Sequence, residues 1–198
     1  MRRFEESLAG EPIKENEYEE ALAKGRLALP IFYDTYHAGW SRRALNEARI
    51  EGVALRDGTP INGKLDRIEF LSGPAAPDGV GREPVRVIDY KTGKPKSRND
   101  IEGLTKSSDG DYKRQLVFYK LLLDKEGTRD MKNGIIQFIE PDERGKMHRE
   151  EFEIAPGEVE TLEKLVMDVA REILDLSFWS KGCHEPDCKY CELRKGMK

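Results

Sequence analysis

The six residues 85–90, VRVIDY, constrain this chain more than any other stretch. A short apolar run that follows a Gly, Pro and Ala cluster, read as a loop over residues 73–84, fits a strand at the centre of a sheet. Residues 47–55 and 61–71 are strand-like as well, and Arg56-Asp57-Gly58 between them signals a hairpin turn. After the central run, residues 112–125 place Leu116, Tyr119 and Leu123 on one helical face with Leu122 beside them, and Gly127 suits the end of that helix. Residues 134–140 and 147–154 read as two further strands joined by the polar turn 141–145. Pro156 then opens a long helix whose buried stripe is expected through Val159, Leu162, Leu165, Val166, Val169, Ile173 and Leu174. Ahead of all these, residues 14–42 carry Tyr18, Leu22, Leu29, Phe32, Tyr33 and Tyr36 at helical spacing, with Pro30 expected to kink or split the helix. This order predicts an α/β domain, a mixed central β-sheet flanked by helices.

At 198 residues the chain has the length of one domain. No run approaches the roughly 20 apolar residues that span a bilayer, and the start MRRFEESLAG has no apolar secretory region, so a cytoplasmic protein with no membrane partner is expected. The net charge of -4 excludes binding nucleic acid by bulk charge, so any such contact has to be local. Residues 91–98, KTGKPKSR, are the candidate: four cations and no acid, able to meet phosphates or simply to form a solvated basic loop.

The chemistry concentrates at the end of the central strand. Asp89 and Lys91 are two residues apart, so their side chains leave the same face of a strand. Asp66, on the preceding strand, could join them. Two carboxylates without histidine form a hard oxygen site suited to magnesium or manganese, and the backbone carbonyl of Tyr90 could add a ligand. A cation there would hold a scissile phosphate and activate a water, while Lys91 orients that water or meets the developing charge. The same residues also allow a plainer arrangement, with Asp66 paired to Arg67 or Arg86 and Asp89 to Lys91 as surface ion pairs.

Three ordered segments, GKLDRIEF, VRVIDYKTGKPK and QLVFYKLLL, resemble the signature of RecB-type PD-(D/E)XK nucleases over roughly residues 45–125. The resemblance implies a restriction-endonuclease-like core and a Mg2+- or Mn2+-dependent deoxyribonuclease, with Asp66 and Asp89 as metal ligands and Lys91 as the catalytic lysine. Gln115 and Tyr119 match the helix motif of that signature and would support the site or touch the DNA strand. Glu47 resembles an acid often found before the first strand and reads as structural. Lys94, Lys96, Lys113 and Arg114 would line a channel for single-stranded ends, delivered by a UvrD/RecB-type DNA helicase in the same chain or complex during repair or recombination. The other readings are a catalytically incomplete module that binds DNA or braces the helicase without cutting, and a protein-interaction module built on the acidic helices. His37 lies on a helix and reads as packing.

All three cysteines, Cys183, Cys188 and Cys191, fall in the last sixteen residues. That crowding fits a metal clip better than a disulfide framework. Similarity to nucleases that hold a cluster with one N-terminal and three C-terminal cysteines implies an iron–sulfur or Zn2+ site in the full-length protein, and His184 is an alternative fourth ligand. The expected division is a nuclease-like domain over residues 1–180 and a Cys-rich tail over residues 181–198, the whole being a C-terminal piece of a larger helicase.

Overall fold

The computed structural model describes residues 1–71, 81–183 and 188–196. Its elements are α1 (Arg2–Ala9), α2 (Glu15–Tyr36), β1 (Ala44–Ala54), β2 (Pro60–Phe70), β3 (Glu83–Lys91), α3 (Arg98–Ile101), α4 (Asp111–Glu126), β4 (Arg129–Phe138), β5 (Arg149–Phe152), α5 (Pro156–Leu174) and α6 (Lys189–Gly196). The five strands form one sheet in the order β1-β2-β3-β4-β5. β3 is its centre, antiparallel to β2 and parallel to β4, and the parallel step is bridged by α3 and α4. The expected mixed sheet with flanking helices is the observed architecture.

Burial of apolar side chains against β3 explains the layering. Val85 and Val87 are fully buried with Leu116, Leu122 and Leu123 of α4, and Ile136 and Phe138 of β4 close the same cluster. Across the sheet, Phe32 of α2 packs edge-on to Tyr90, with ring centroids 5.9 Å apart. Gly63 of β2 is small for a reason: a methyl there would come within 2.4 Å of Leu122, so the glycine lets α4 close onto the sheet. Gly127 ends α4 in the left-handed region at φ 83°, as its position suggested.

Four expectations change. Pro30 does not split the first long helix; α2 runs through it from Glu15 to Tyr36. The stripe on α5 is buried only at its start, at Val159 and Leu162, whereas Leu165, Val169, Ile173 and Leu174 are exposed. Periodicity marks which face of a helix is apolar, not how much of that face another element covers. β5 is four residues long, shorter than its pattern implied, and the short helices α1, α3 and α6, none longer than eight residues, lie outside the elements expected from the sequence. Residues 73–80 of the expected loop lie outside the described residues, and Pro84 belongs to β3. Among the described residues no helix is long and apolar enough to cross a membrane.

The β4–β5 turn is tied by one carboxylate. Asp142 accepts from the backbone N–H groups of Arg144 and Lys146, each at 2.9 Å, and pairs with His148 Nε2 at 2.7 Å. The His148 contact, followed by the amides, holds its carboxyl down at about 2, against an ordinary 3.8. A folded-state value below the unfolded one means the ionised carboxylate stabilises the fold above about pH 4, and that contribution fades as pH falls toward 2. Urea titrations across this range should show Asp142→Asn less stable than the parent near neutrality, with the difference shrinking at low pH. A difference independent of pH would contradict the assignment.

Candidate active site

β2 pairs with β3 as far as Arg67↔Ile88, whereas β3 continues beside β4 to Lys91↔Phe138. Past Arg67, β2 stays with β1 and leaves β3, so the sheet forks just where Asp66 faces Asp89 and Tyr90. The fork is pinned by a side chain: Tyr90 N–H donates to Asp66 Oδ2 at 2.9 Å. A carboxylate thus occupies a ladder position, and the first two acids of the sequence pattern are brought together by the point at which two strands part.

Asp89 sits at the bottom of this fork, 1% exposed. Lys91, two residues on and on the same face, reaches back so that its Nζ lies 2.7 Å from Asp89 Oδ2, an ionic contact rather than a well-directed hydrogen bond. Gln115 and Tyr119 are four apart on α4 and share one face. Lys91 Nζ donates to Gln115 Oε1, Gln115 Nε2 donates to Tyr119 Oη at 2.7 Å, and Tyr119 donates its single hydroxyl proton to Asp89 Oδ1 at 3.0 Å. The four side chains close a circuit in which each donor and acceptor has one assignment, which fixes the orientation of the Gln115 amide.

Burial pushes the Asp89 carboxyl above its ordinary value; the Asp66 charge adds to this, while Lys91 and Tyr119 oppose it. Burial, then the Asp89 charge, raises the Tyr119 phenol well above its usual range, so it remains a proton donor at working pH. Neither acid is a simple surface partner: Arg67 is taken by Glu69 and Asn46, Arg86 by Asn133 and Glu151, and Asp89 is buried against a half-buried Lys91. Two carboxylates held together against their mutual repulsion, with oxygen the only donor type, fit a hard divalent cation.

The surrounding cations divide into two groups. Tyr112, one turn before Gln115, places its ring 4.5 Å from Lys91 Nζ and 4.0 Å from Lys96 Nζ, joining the basic loop to the site. Sequence reasoning passed over Tyr112, although its spacing of three from Gln115 was a usable signal. Lys94 lies in the same loop with Glu143. Lys113 and Arg114 instead face the α4–α5 groove, where Lys113 pairs with Glu158 at 2.8 Å and Arg114 meets Asp109. His37 stacks on Tyr33, its Nδ1 2.8 Å from the Tyr33 carbonyl, in agreement with a packing role. Glu47 is exposed, pairs with Lys64, and has φ 55° at the strand position opposite Asp66.

In the tail, the Sγ atoms of Cys183, Cys188 and Cys191 lie within 4.8 Å of one another. Hydrogen bonds from the Cys191 backbone and the Cys183 thiol bring Cys188 down to about 7, which favours the thiolate that a metal requires. His184 lies outside the described residues.

The sequence matches the PD-(D/E)XK nuclease superfamily over residues 2–195. The chain belongs to this superfamily. Membership implies phosphodiester hydrolysis, and the circuit of Asp89, Lys91, Gln115 and Tyr119 lies on the strand and helix where the nuclease signature was read. No curated protein matches this nuclease-superfamily chain. Among solved structures it is similar to the crystal structure of SSO0001, with 16% identity over 79% of this chain and a TM-score of 0.39. It spans 64% of the length of that chain, and a likeness this loose does not bear on the site.

The circuit makes a stability prediction. Tyr119→Phe leaves Gln115 Nε2 without its acceptor and Asp89 without its donor in a buried setting, at a cost of about 1–3 kcal/mol. Urea denaturation of the metal-free protein should show that loss. Stability equal to the parent would mean that the circuit does not hold the fold.

Proposed function

We propose that this chain is a divalent-metal-dependent deoxyribonuclease domain acting on single-stranded DNA ends produced by a helicase motor in the same chain or complex. The observation that carries the reading is the buried Asp89, placed beside a second carboxylate and locked to a lysine through Gln115 and Tyr119. Asp66, Asp89 and the Tyr90 carbonyl would hold Mg2+ or Mn2+. When bound, such an ion neutralises phosphate charge and lowers the pKa of a coordinated water.

The protein's own groups divide the remaining tasks. Lys91 presents a fixed ammonium to the attacking water or to the phosphate oxygen on which charge develops. Gln115 accepts from Lys91 and so limits the directions its ammonium can take. Tyr119, held protonated, keeps one Asp89 oxygen engaged and leaves the other beside Lys91. Lys96 and Lys94 would follow the backbone leading into the site, while Lys113 and Arg114, in the α4–α5 groove, would meet DNA only farther along its path. The three tail cysteines would clip Zn2+ or an iron–sulfur cluster whose remaining ligand comes from elsewhere in a larger protein.

The test is degradation of end-labelled single-stranded DNA with magnesium or manganese, comparing the parent with Lys91→Ala. The proposal predicts cleavage by the parent and at least about a hundredfold loss in the variant. Cleavage at the parent rate by the variant would overturn the role of Lys91. DNA binding without cleavage by either protein would mark a module that grips DNA without cutting it.

A further inference from the structure

The fork between β2 and β3 has a second side. Opposite the carboxylates, Phe32, Trp40, Asn46, Arg67, Tyr90 and Ile139 line a recess of about 320 Å³. Its walls are aromatic. Phe32 stands edge-on to Tyr90 and 6.3 Å from Trp40, with the ring planes of Phe32 and Trp40 tilted at 45°. Trp40 remains 39% exposed although Tyr33 supports it edge-on at 5.7 Å. A tryptophan left this open beside a concave surface offers a stacking face.

The polar groups of the recess favour a neutral ligand. Arg67 is 9% exposed, and its guanidinium is spent on Glu69, Asn46 and the Ser41 carbonyl, all at 2.9 Å. Its charge is balanced by the buried Glu69, so the recess is no phosphate site. Asn46 accepts from Arg67 through Oδ1, which leaves its amide Nδ2 to donate at the rim. A flat ring with hydrogen-bond acceptors on its edge matches both features, and a nucleobase is such a ring.

Position links the recess to the carboxylates. Tyr90 lies between Asp89 and Lys91 in sequence, and its side chain takes the opposite face of β3. Its backbone N–H is the one that Asp66 holds at the fork. Ile139, whose N–H donates to the Lys91 carbonyl at 3.0 Å, also lines the recess, so recess and carboxylates lie on the two faces of the same end of β3.

We infer that this recess is a nucleobase-binding pocket, which takes an unstacked base of single-stranded DNA beside the phosphodiester that a cation at Asp66 and Asp89 would hold. The inference rests on the proposed DNA substrate and adds to it a requirement for unpaired bases, since a base in a duplex cannot leave its stack without cost.

The experiment uses the full chain carrying Trp179→Phe, so that Trp40 is the one remaining tryptophan of two. With EDTA present to prevent cleavage, its emission is titrated with oligodeoxythymidylate and with an abasic deoxyribose-phosphate oligomer of equal length and charge. Stacking predicts quenching by the first oligomer only. Trp40→Ala should weaken oligodeoxythymidylate binding roughly 5- to 150-fold, the range for losing one stacked base, and leave abasic binding unchanged. Trp40→Phe, which keeps a ring against Phe32 and Tyr33, should retain most of the affinity. Equal binding and equal quenching by the two oligomers would overturn the pocket while leaving the nuclease reading intact. Failure to bind either oligomer would overturn the pocket, the nuclease reading being tested separately by cleavage with magnesium. Base-dependent binding by a chain that does not cleave would uphold the pocket alone.

Discussion

The hydrogen bond from Tyr119 to Asp89 is the contact on which the rest of the site depends. A carboxylate at 1% exposure is costly to keep ionised, and its raised pKa reflects that cost. Lys91 offsets part of it, but a lysine on four flexible carbons would not hold one position unaided. The Tyr119 hydroxyl and the Gln115 amide supply what is missing: one orients the acid, the other the base, and each orients its neighbour. Because both come from successive turns of α4, the circuit depends on the packing of that helix on the sheet. Gly63, which leaves room for Leu122, is therefore part of the site's construction although it bears no functional group.

The second constraint is topological. A sheet paired along its whole length would put backbone hydrogen bonds where this one puts the Asp66 carboxylate. The departure of β2 with β1 opens the fork, and the fork gives two faces of β3 different tasks. Asp89 and Lys91 on one face are paired beside the charge of Asp66. Tyr90 on the other joins Phe32 and Trp40 in an aromatic recess. The period of two along a strand, usually a device for separating core from solvent, here separates a charged cluster from an aromatic recess.

Much of this was legible because it rests on local pattern. The run VRVIDY announced a central strand, the spacing of Asp89 and Lys91 placed them on one face, and the four-residue step from Gln115 to Tyr119 placed those two on one face of a helix. What stayed hidden depends on distant contacts. No local signal states that Leu165 and Ile173 of the α5 stripe stay exposed, because burial depends on which other elements cover the helix. The continuation of α2 through Pro30 ran against a sound local rule. Trp40 read as part of a helix end, and its place in a recess appears only once β1, β2 and β3 are arranged around it.

The central claim is that Asp66 and Asp89 form one cation site at the fork. It is tested most directly by thermal unfolding of the intact chain with and without magnesium, beside an Asp66→Asn variant. Magnesium is the ion to use, since the tail thiolates favour softer metals. The account predicts a magnesium-dependent stabilisation of the parent, about 2.7 kcal/mol at a hundred times the dissociation constant, and little or none in the variant. An equal shift in both proteins, or none in either, would contradict it.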